Sequence, residues 1–164
     1  MDKQTQQLMF SSDSDEWPTP DDFYLILDNQ FHFTLDPCSD AFNRKCAKHY
    51  TIADDGLSKS WEGETVFVNP PYSDIKEWVK KCYEEGQKPN TIVVMLIPSR
   101  TDTKYWHNYC MKANAIYFVK GRLKFGNSKN YAPFPSAVVV FTNIFSLKNT
   151  SPTIRSLDRN ASHD

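Results

Sequence analysis

Asn69-Pro70-Pro71-Tyr72 is the run of this chain whose residue types and spacing carry the most definite chemistry. Two successive prolines hold φ at about −65° on both residues, so the backbone is rigid where the carboxamide and the first proline's carbonyl must point outward together. Pro70 has no N–H to donate, yet its carbonyl still accepts. An amino group on an aromatic base presents two hydrogens. Two acceptors set against them shift electron density towards the nitrogen, favour a tetrahedral geometry and make the lone pair available for attack. Tyr72 adds a flat face on which a base removed from its helix can stack. Two prolines alone describe a turn after a buried strand; the full Asn-Pro-Pro-aromatic run is far more specific.

Three carboxylates precede it in an order that suits a nucleoside-bearing ligand. Asp36 ends the alternating run Phe31-His32-Phe33-Thr34-Leu35 and is followed by Pro37, while Asp54 and Asp55 stand in a turn before Gly56. Carboxylates at strand ends accept hydrogen bonds from a ribose, an amino group or an ammonium. Any one of them could equally cap a turn or a helix.

These residues need elements to position them. The spacing predicts a short helix over residues 21–29, a strand over 31–36, a helix over 41–48 and a short strand over 49–52. It continues with a strand over 64–69, a helix over 75–86, a strand over 91–97 that is apolar on both faces, and a helix over 103–111. Residues 115–119 and 137–141 read as two further strands able to pair antiparallel. The alternation predicts an α/β sandwich with a mostly parallel sheet closed by an antiparallel strand pair. Ligands of such sheets sit beyond the carboxyl ends of the strands. Residues 1–14 are expected to be disordered, 15–148 to form the domain, and 149–164 to be a frayed polar tail.

The chain has 164 residues, 40% hydrophobic and 24% charged, which suits one domain with a real core. It has no apolar run of membrane-spanning length and no secretory pattern at its start, so a cytoplasmic location is expected and no membrane partner. Cys38, Cys46, Cys82 and Cys110 lack the paired spacing of zinc sites and are expected to be free thiols, with no metal bound. Net charge is −1, but no acidic residue lies between Asp102 and Asp158, a stretch with Lys104, Lys112, Lys120, Arg122, Lys124, Lys129, Lys148 and Arg155. Basic residues interleaved with aromatics there point to nucleic acid.

The chain resembles the short, phage-type DNA N-6-adenine methyltransferases, often called Dam-like. The resemblance rests on Asp15-Glu16-Trp17-Pro18-Thr19-Pro20, Leu35-Asp36-Pro37-Cys38, Asp54-Asp55-Gly56-Leu57, Asn69-Pro70-Pro71-Tyr72 and Pro98-Ser99-Arg100-Thr101-Asp102-Thr103. It continues through Gly121-Arg122-Leu123-Lys124-Phe125-Gly126 and Ala132-Pro133-Phe134-Pro135-Ser136. It implies a Rossmann-like fold that uses S-adenosylmethionine to methylate N6 of a flipped adenine in DNA, in a phage- or prophage-encoded protein acting in the bacterial cytoplasm. Thr19, Pro20, Asp36, Pro37, Asp54, Asp55 and Asn69 would then bind the methyl donor. Asn69, Pro70, Pro71 and Tyr72 would hold the adenine, and Arg100, Trp106, Arg122, Lys124 and Phe125 would contact DNA. Rival readings are a cytosine-N4 or RNA amino-methyltransferase, and a noncatalytic module that binds DNA and donor. Whether the chain acts as a monomer or a homodimer is left open by the sequence.

Overall fold

Two apolar runs, β2 (Ile92–Pro98) and β4 (Ser136–Thr142), pair antiparallel across their full length and form the centre of the sheet. The computed structural model describes residues 17–40, 42–126, 128–144 and 152–160. The leader expected to be disordered, residues 1–14, lies outside them, as do Asp15, Glu16 and Ala41. β1 (Thr65–Val68) runs parallel to β2, β3 (Ala115–Lys120) pairs antiparallel with β4, and β5 (Thr153–Asp158) lies parallel to β3. The order is β1-β2-β4-β3-β5.

Side chains alternate across this sheet as pleating requires. Val93, Met95 and Ile97 of β2 share one core with Ala137, Val139 and Phe141 of β4. Trp78, Val79 and Cys82 of α2 (Ile75–Gly86) and Trp106 of α3 (Lys104–Asn108) complete it. Val94, Leu96, Val138 and Val140 face the other way, against Phe23, Tyr24 and Leu27 of α1 (Asp21–Phe31). The expected α/β architecture with helices on both faces is present.

The sheet is mixed, however, not mostly parallel. The chain reverses after β3, and β4 does not close an edge but inserts between β2 and β3, so both of its ladders are antiparallel. β5 is a second difference, because the tail expected to fray carries a strand. Five of its six residues are exposed, and an edge strand with two open faces has no apolar alternation to read.

The stretch from residue 29 to 52 departs most from what the periodicity predicts. Helix α1 runs on to Phe31 and ends with His32 in the left-handed region at φ 57°, so few residues remain before Pro37. The expected strand shrinks to single parallel bridges, Leu35 to Val66 and Asp36 to His49. The helix expected over 41–48 and the strand over 49–52 do not form among the described residues. Asp40 Oδ1 accepts from Phe42 N and Asn43 N at 2.7 Å each, as a helix cap would, but Asp36 Oδ2 takes Lys45 N at 2.9 Å, an amide the helical ladder would need. Such local side-chain bonds compete directly with the helical ladder.

Trp61 ties this irregular region to the core. It is fully buried, its Nε1 donates to the Gly56 carbonyl at 3.0 Å, and its backbone N donates to Glu85 Oε2 at 3.1 Å. Glu85, buried on α2, also pairs with Lys81 at 2.6 Å and Lys88 at 2.8 Å, so its carboxylate is compensated. No helix among the described residues is long and apolar enough to cross a membrane.

Candidate active site

β1 delivers its last residue, Val68, fully buried beside Met95 of β2, and the chain leaves the sheet at Asn69. Pro71 is extended at φ −65° and ψ 141°, after which Tyr72–Asp74 make one 3₁₀ turn into α2. The rigid proline pair thus sets the Asn69 side chain at the carboxyl edge of the parallel pair β1–β2, as the sequence predicts.

The Asn69 carboxamide is held from one side. Its Nδ2 donates to the Trp17 carbonyl at 2.5 Å and to Thr19 Oγ1 at 3.0 Å. A carbonyl can only accept, so nitrogen must face Trp17 and Oδ1 is turned away from it. Trp17 also stacks on Tyr72, with centroids 6.1 Å apart and planes 20° from parallel, and both rings meet Phe134 edge-on. Burial drives the Tyr72 phenol far above its ordinary range against the pull of the Arg100 cation, so it stays neutral and serves as a surface.

A cleft of about 460 Å³ opens beside Asn69. It lies in the size range of small-molecule sites, roughly 300–1,000 Å³. Of the residues expected to bind the donor, Thr19, Asp36, Pro37, Asp55 and Asn69 line it; Pro20 and Asp54 do not. Pro20 instead begins α1, its carbonyl accepting from Tyr24 N at 2.9 Å. Asp54 closes its own turn, with Oδ2 accepting from Thr51 N at 2.9 Å. Asp55, at φ 54°, faces the cleft. Asp36 is 3% exposed, and its oxygens accept from Cys38 N and Lys45 N, so it shapes the wall from within. Burial pushes its carboxyl up, opposed by the Lys45 and Cys38 amides. Pro37 and Gly56 bring two wall segments so close that a Cβ on Gly56 would lie 2.1 Å from the Pro37 oxygen.

The basic loop after β3 is pinned to the same corner. Gly126 N donates to the Pro18 carbonyl at 2.8 Å, and Phe125 meets Trp17 edge-on at 5.7 Å. Leu123 and Phe125 point inward while Arg122 and Lys124 are exposed, a period-two alternation. Phe125, 4% exposed, is an anchor of this loop. Trp106, 2% exposed, is likewise core: Thr103 Oγ1 caps its backbone N, and its indole packs under the sheet. Arg100 is half-buried near Tyr72, and Lys124 lies over the Tyr131 ring at 4.5 Å. Cys82 and Cys110 are buried free thiols, pushed up by burial, Cys110 to about 12, which leaves them poor nucleophiles. Among the described residues no group of His, Cys, Asp or Glu is arranged to hold a metal ion.

A family model described as DNA N-6-adenine-methyltransferase (Dam) matches residues 6–161, nearly the whole chain. The chain belongs to this family. The DNA N-6-adenine-methyltransferase of Haemophilus phage HP1 is 30% identical over 122 residues, 72% of this chain and 70% of that relative. The protein of the same description from Escherichia phage T1 is 29% identical over 111 residues, covering 66% of this chain and 46% of the relative. Within this family setting, the structure adds roles that residue types alone did not give. Trp17 and Thr19 act as partners of Asn69, Phe134 as part of the aromatic cluster, and Gly56 as the close approach in the cleft. Their only signal was placement: Trp17-Pro18-Thr19-Pro20 is a stiff segment, and Gly56 follows the aspartate pair.

Proposed function

We propose that this Dam-family protein is an adenine-specific DNA methyltransferase that transfers a methyl group from S-adenosylmethionine to N6 of an adenine extruded from DNA, on a Rossmann-like scaffold. The observation that carries the reading is the Asn69 carboxamide, turned by Trp17 and Thr19 so that its oxygen points away from them, in the lining of a ligand-sized cleft. The cleft chemistry fits the donor. Asp55 suits ribose hydroxyls or an ammonium, Pro37 and Gly56 give backbone access, and the residues around Asn69 bring the cleft to the reacting amino group.

When bound, the donor supplies an electrophilic methyl carbon on a sulfonium. Asn69 Oδ1 and the Pro70 carbonyl each accept one hydrogen of the adenine amino group, and the base rests against the Tyr72, Trp17 and Phe134 cluster. With the donor bound, the amino nitrogen so held would be placed to take the methyl group from the sulfonium, and its surplus proton would pass to solvent water. No covalent enzyme intermediate is needed, so catalysis is orientation and polarisation. Arg122 and Lys124 supply cations for backbone phosphates.

Incubation with labelled S-adenosylmethionine and unmethylated DNA, then digestion and mass identification of the nucleosides, tests this. N6-methyladenine is the expected product, and Asn69→Ala should lower its rate by about 10²- to 10³-fold, the cost of losing one preorganised contact to developing charge. Methylcytosine, methylated RNA in a parallel reaction, or wild-type turnover by Asn69→Ala would refute it.

A further inference from the structure

A carboxamide is nearly symmetric in shape and opposite in chemistry at its two ends. Rotating Asn69 by half a turn about its last side-chain bond would put two N–H donors where an acceptor is required. Facing the two hydrogens of an amino group, those donors would repel it. Whatever fixes the rotation therefore decides whether the side chain can act at all.

From the bond lengths to Trp17 and Thr19 we infer that Thr19 is a positioning residue for the methyl transfer, which with the Trp17 carbonyl locks the Asn69 carboxamide so that Oδ1 faces the amino group. Nδ2 uses both hydrogens on this pair, at 2.5 Å and 3.0 Å. In the rotated state Oδ1 would stand lone pair to lone pair against the Trp17 carbonyl and that bond would be lost, while the Thr19 hydroxyl could meet Oδ1 only by turning its O–H away from the cleft. The lock is itself held. Pro18 and Pro20 restrict the backbone on either side of Thr19, the Pro18 carbonyl accepts from Gly126 N at 2.8 Å, and the Pro20 carbonyl accepts from Tyr24 N at 2.9 Å. Thr19 is 4% exposed, so water does not substitute easily for its hydroxyl. That hydroxyl accepts from Asn69 and keeps its own O–H to donate into the cleft it lines.

The inference rests on reading Asn69 as the acceptor for the adenine amino group, and the test separates the two. Thr19→Val keeps the branched shape and removes the acceptor; Thr19→Ser keeps the acceptor and removes a methyl group. Steady-state methylation of DNA by the full chain, with S-adenosylhomocysteine affinity measured by calorimetry, gives kcat and donor binding separately. In Thr19→Val, kcat should fall about tenfold, as for one lost hydrogen bond, with Tm held and a drop in kcat that persists at saturating donor whatever the change in S-adenosylhomocysteine affinity. Thr19→Ser should recover most of the loss, and Thr19→Val combined with Asn69→Ala should be no slower than Asn69→Ala alone. Wild-type kcat in Thr19→Val, a donor-affinity defect with kcat intact, or Thr19→Ser as slow as Thr19→Val would overturn the lock. If Thr19→Val does not fold, the serine variant and the same cycle with Thr19→Ala decide it. Wild-type turnover by Asn69→Ala would instead refute the acceptor reading beneath it.

Discussion

Gly56→Ala is the sharpest test of the cleft, because the perturbation can be sized from the structure. The added Cβ would sit 2.1 Å from the Pro37 carbonyl oxygen and 3.2 Å from the Trp78 ring, where real Cβ contacts stay beyond 3.0 Å. The Pro37 and Gly56 segments must therefore part by roughly 0.9 Å. Neither moves freely: the Trp61 indole is bonded to the Gly56 carbonyl, and the Asp36 carboxylate grips the amides of Cys38 and Lys45. Overpacking of this kind costs about 1–3 kcal/mol. Both segments line the cleft, so the distortion falls on the ligand-binding geometry and affinity should drop about 5- to 150-fold. Calorimetric titration with S-adenosylhomocysteine reads this directly. Gly63→Ala is the control, since Gly63 has φ 81° and open space around its Cβ position: backbone strain should lower Tm there without changing ligand affinity. A folded Gly56→Ala protein that binds within twofold of wild type would refute the assignment of this cleft to the donor.

Two other outcomes follow from the charges. Burial acts to raise the Glu85 carboxyl, but Lys81, Lys88 and the Trp61 amide outweigh it and hold the group below its usual 4.5. A carboxyl lowered in the folded state contributes stability above the unfolded value and loses it as pH falls through the folded one. Urea denaturation of Glu85→Gln should show lower stability at pH 7, by about 1–3 kcal/mol, and a flatter decline below pH 4.5 than wild type; parallel curves would refute the pairing. Arg122→Ala and Lys124→Ala should each weaken DNA binding alike on all sequences and reduce the slope of log affinity against log salt by about 1, read by fluorescence anisotropy. Phe125→Ala should instead lower Tm, because that ring is buried beside Trp17, and unchanged stability would count against its role as an anchor.

Much of the site was legible in the sequence because its parts are local. Asn69-Pro70-Pro71-Tyr72 follows a β-rich run and precedes a helical one, so its place at a strand end needed no tertiary information. The apolar runs of β2 and β4 and the amphipathic α2 were likewise readable from period alone. Competition between local bonds was harder to see. The helix expected over residues 41–48 gave way to the Asp36 carboxylate, which binds the Lys45 amide that the helix would need. Propensity along a segment does not reveal that an aspartate before it will bond its amides.

Tertiary structure decided whatever depends on which segments meet. Strand order is the clearest case, since nothing along the chain says that β4 enters between β2 and β3 and makes the sheet mixed. Inside and outside are another: Trp106 and Phe125 have the composition of DNA contacts and the burial of core residues, while Arg122 and Lys124 beside Phe125 face solvent. The third is the orientation of one side chain. The sequence supplies Asn69 with a carboxamide, but the carbonyl of Trp17 and the hydroxyl of Thr19, some fifty residues earlier, decide which end of it faces outward. A residue's type determines which hydrogen bonds it can make, and only its neighbours in space determine which of them it has left to offer.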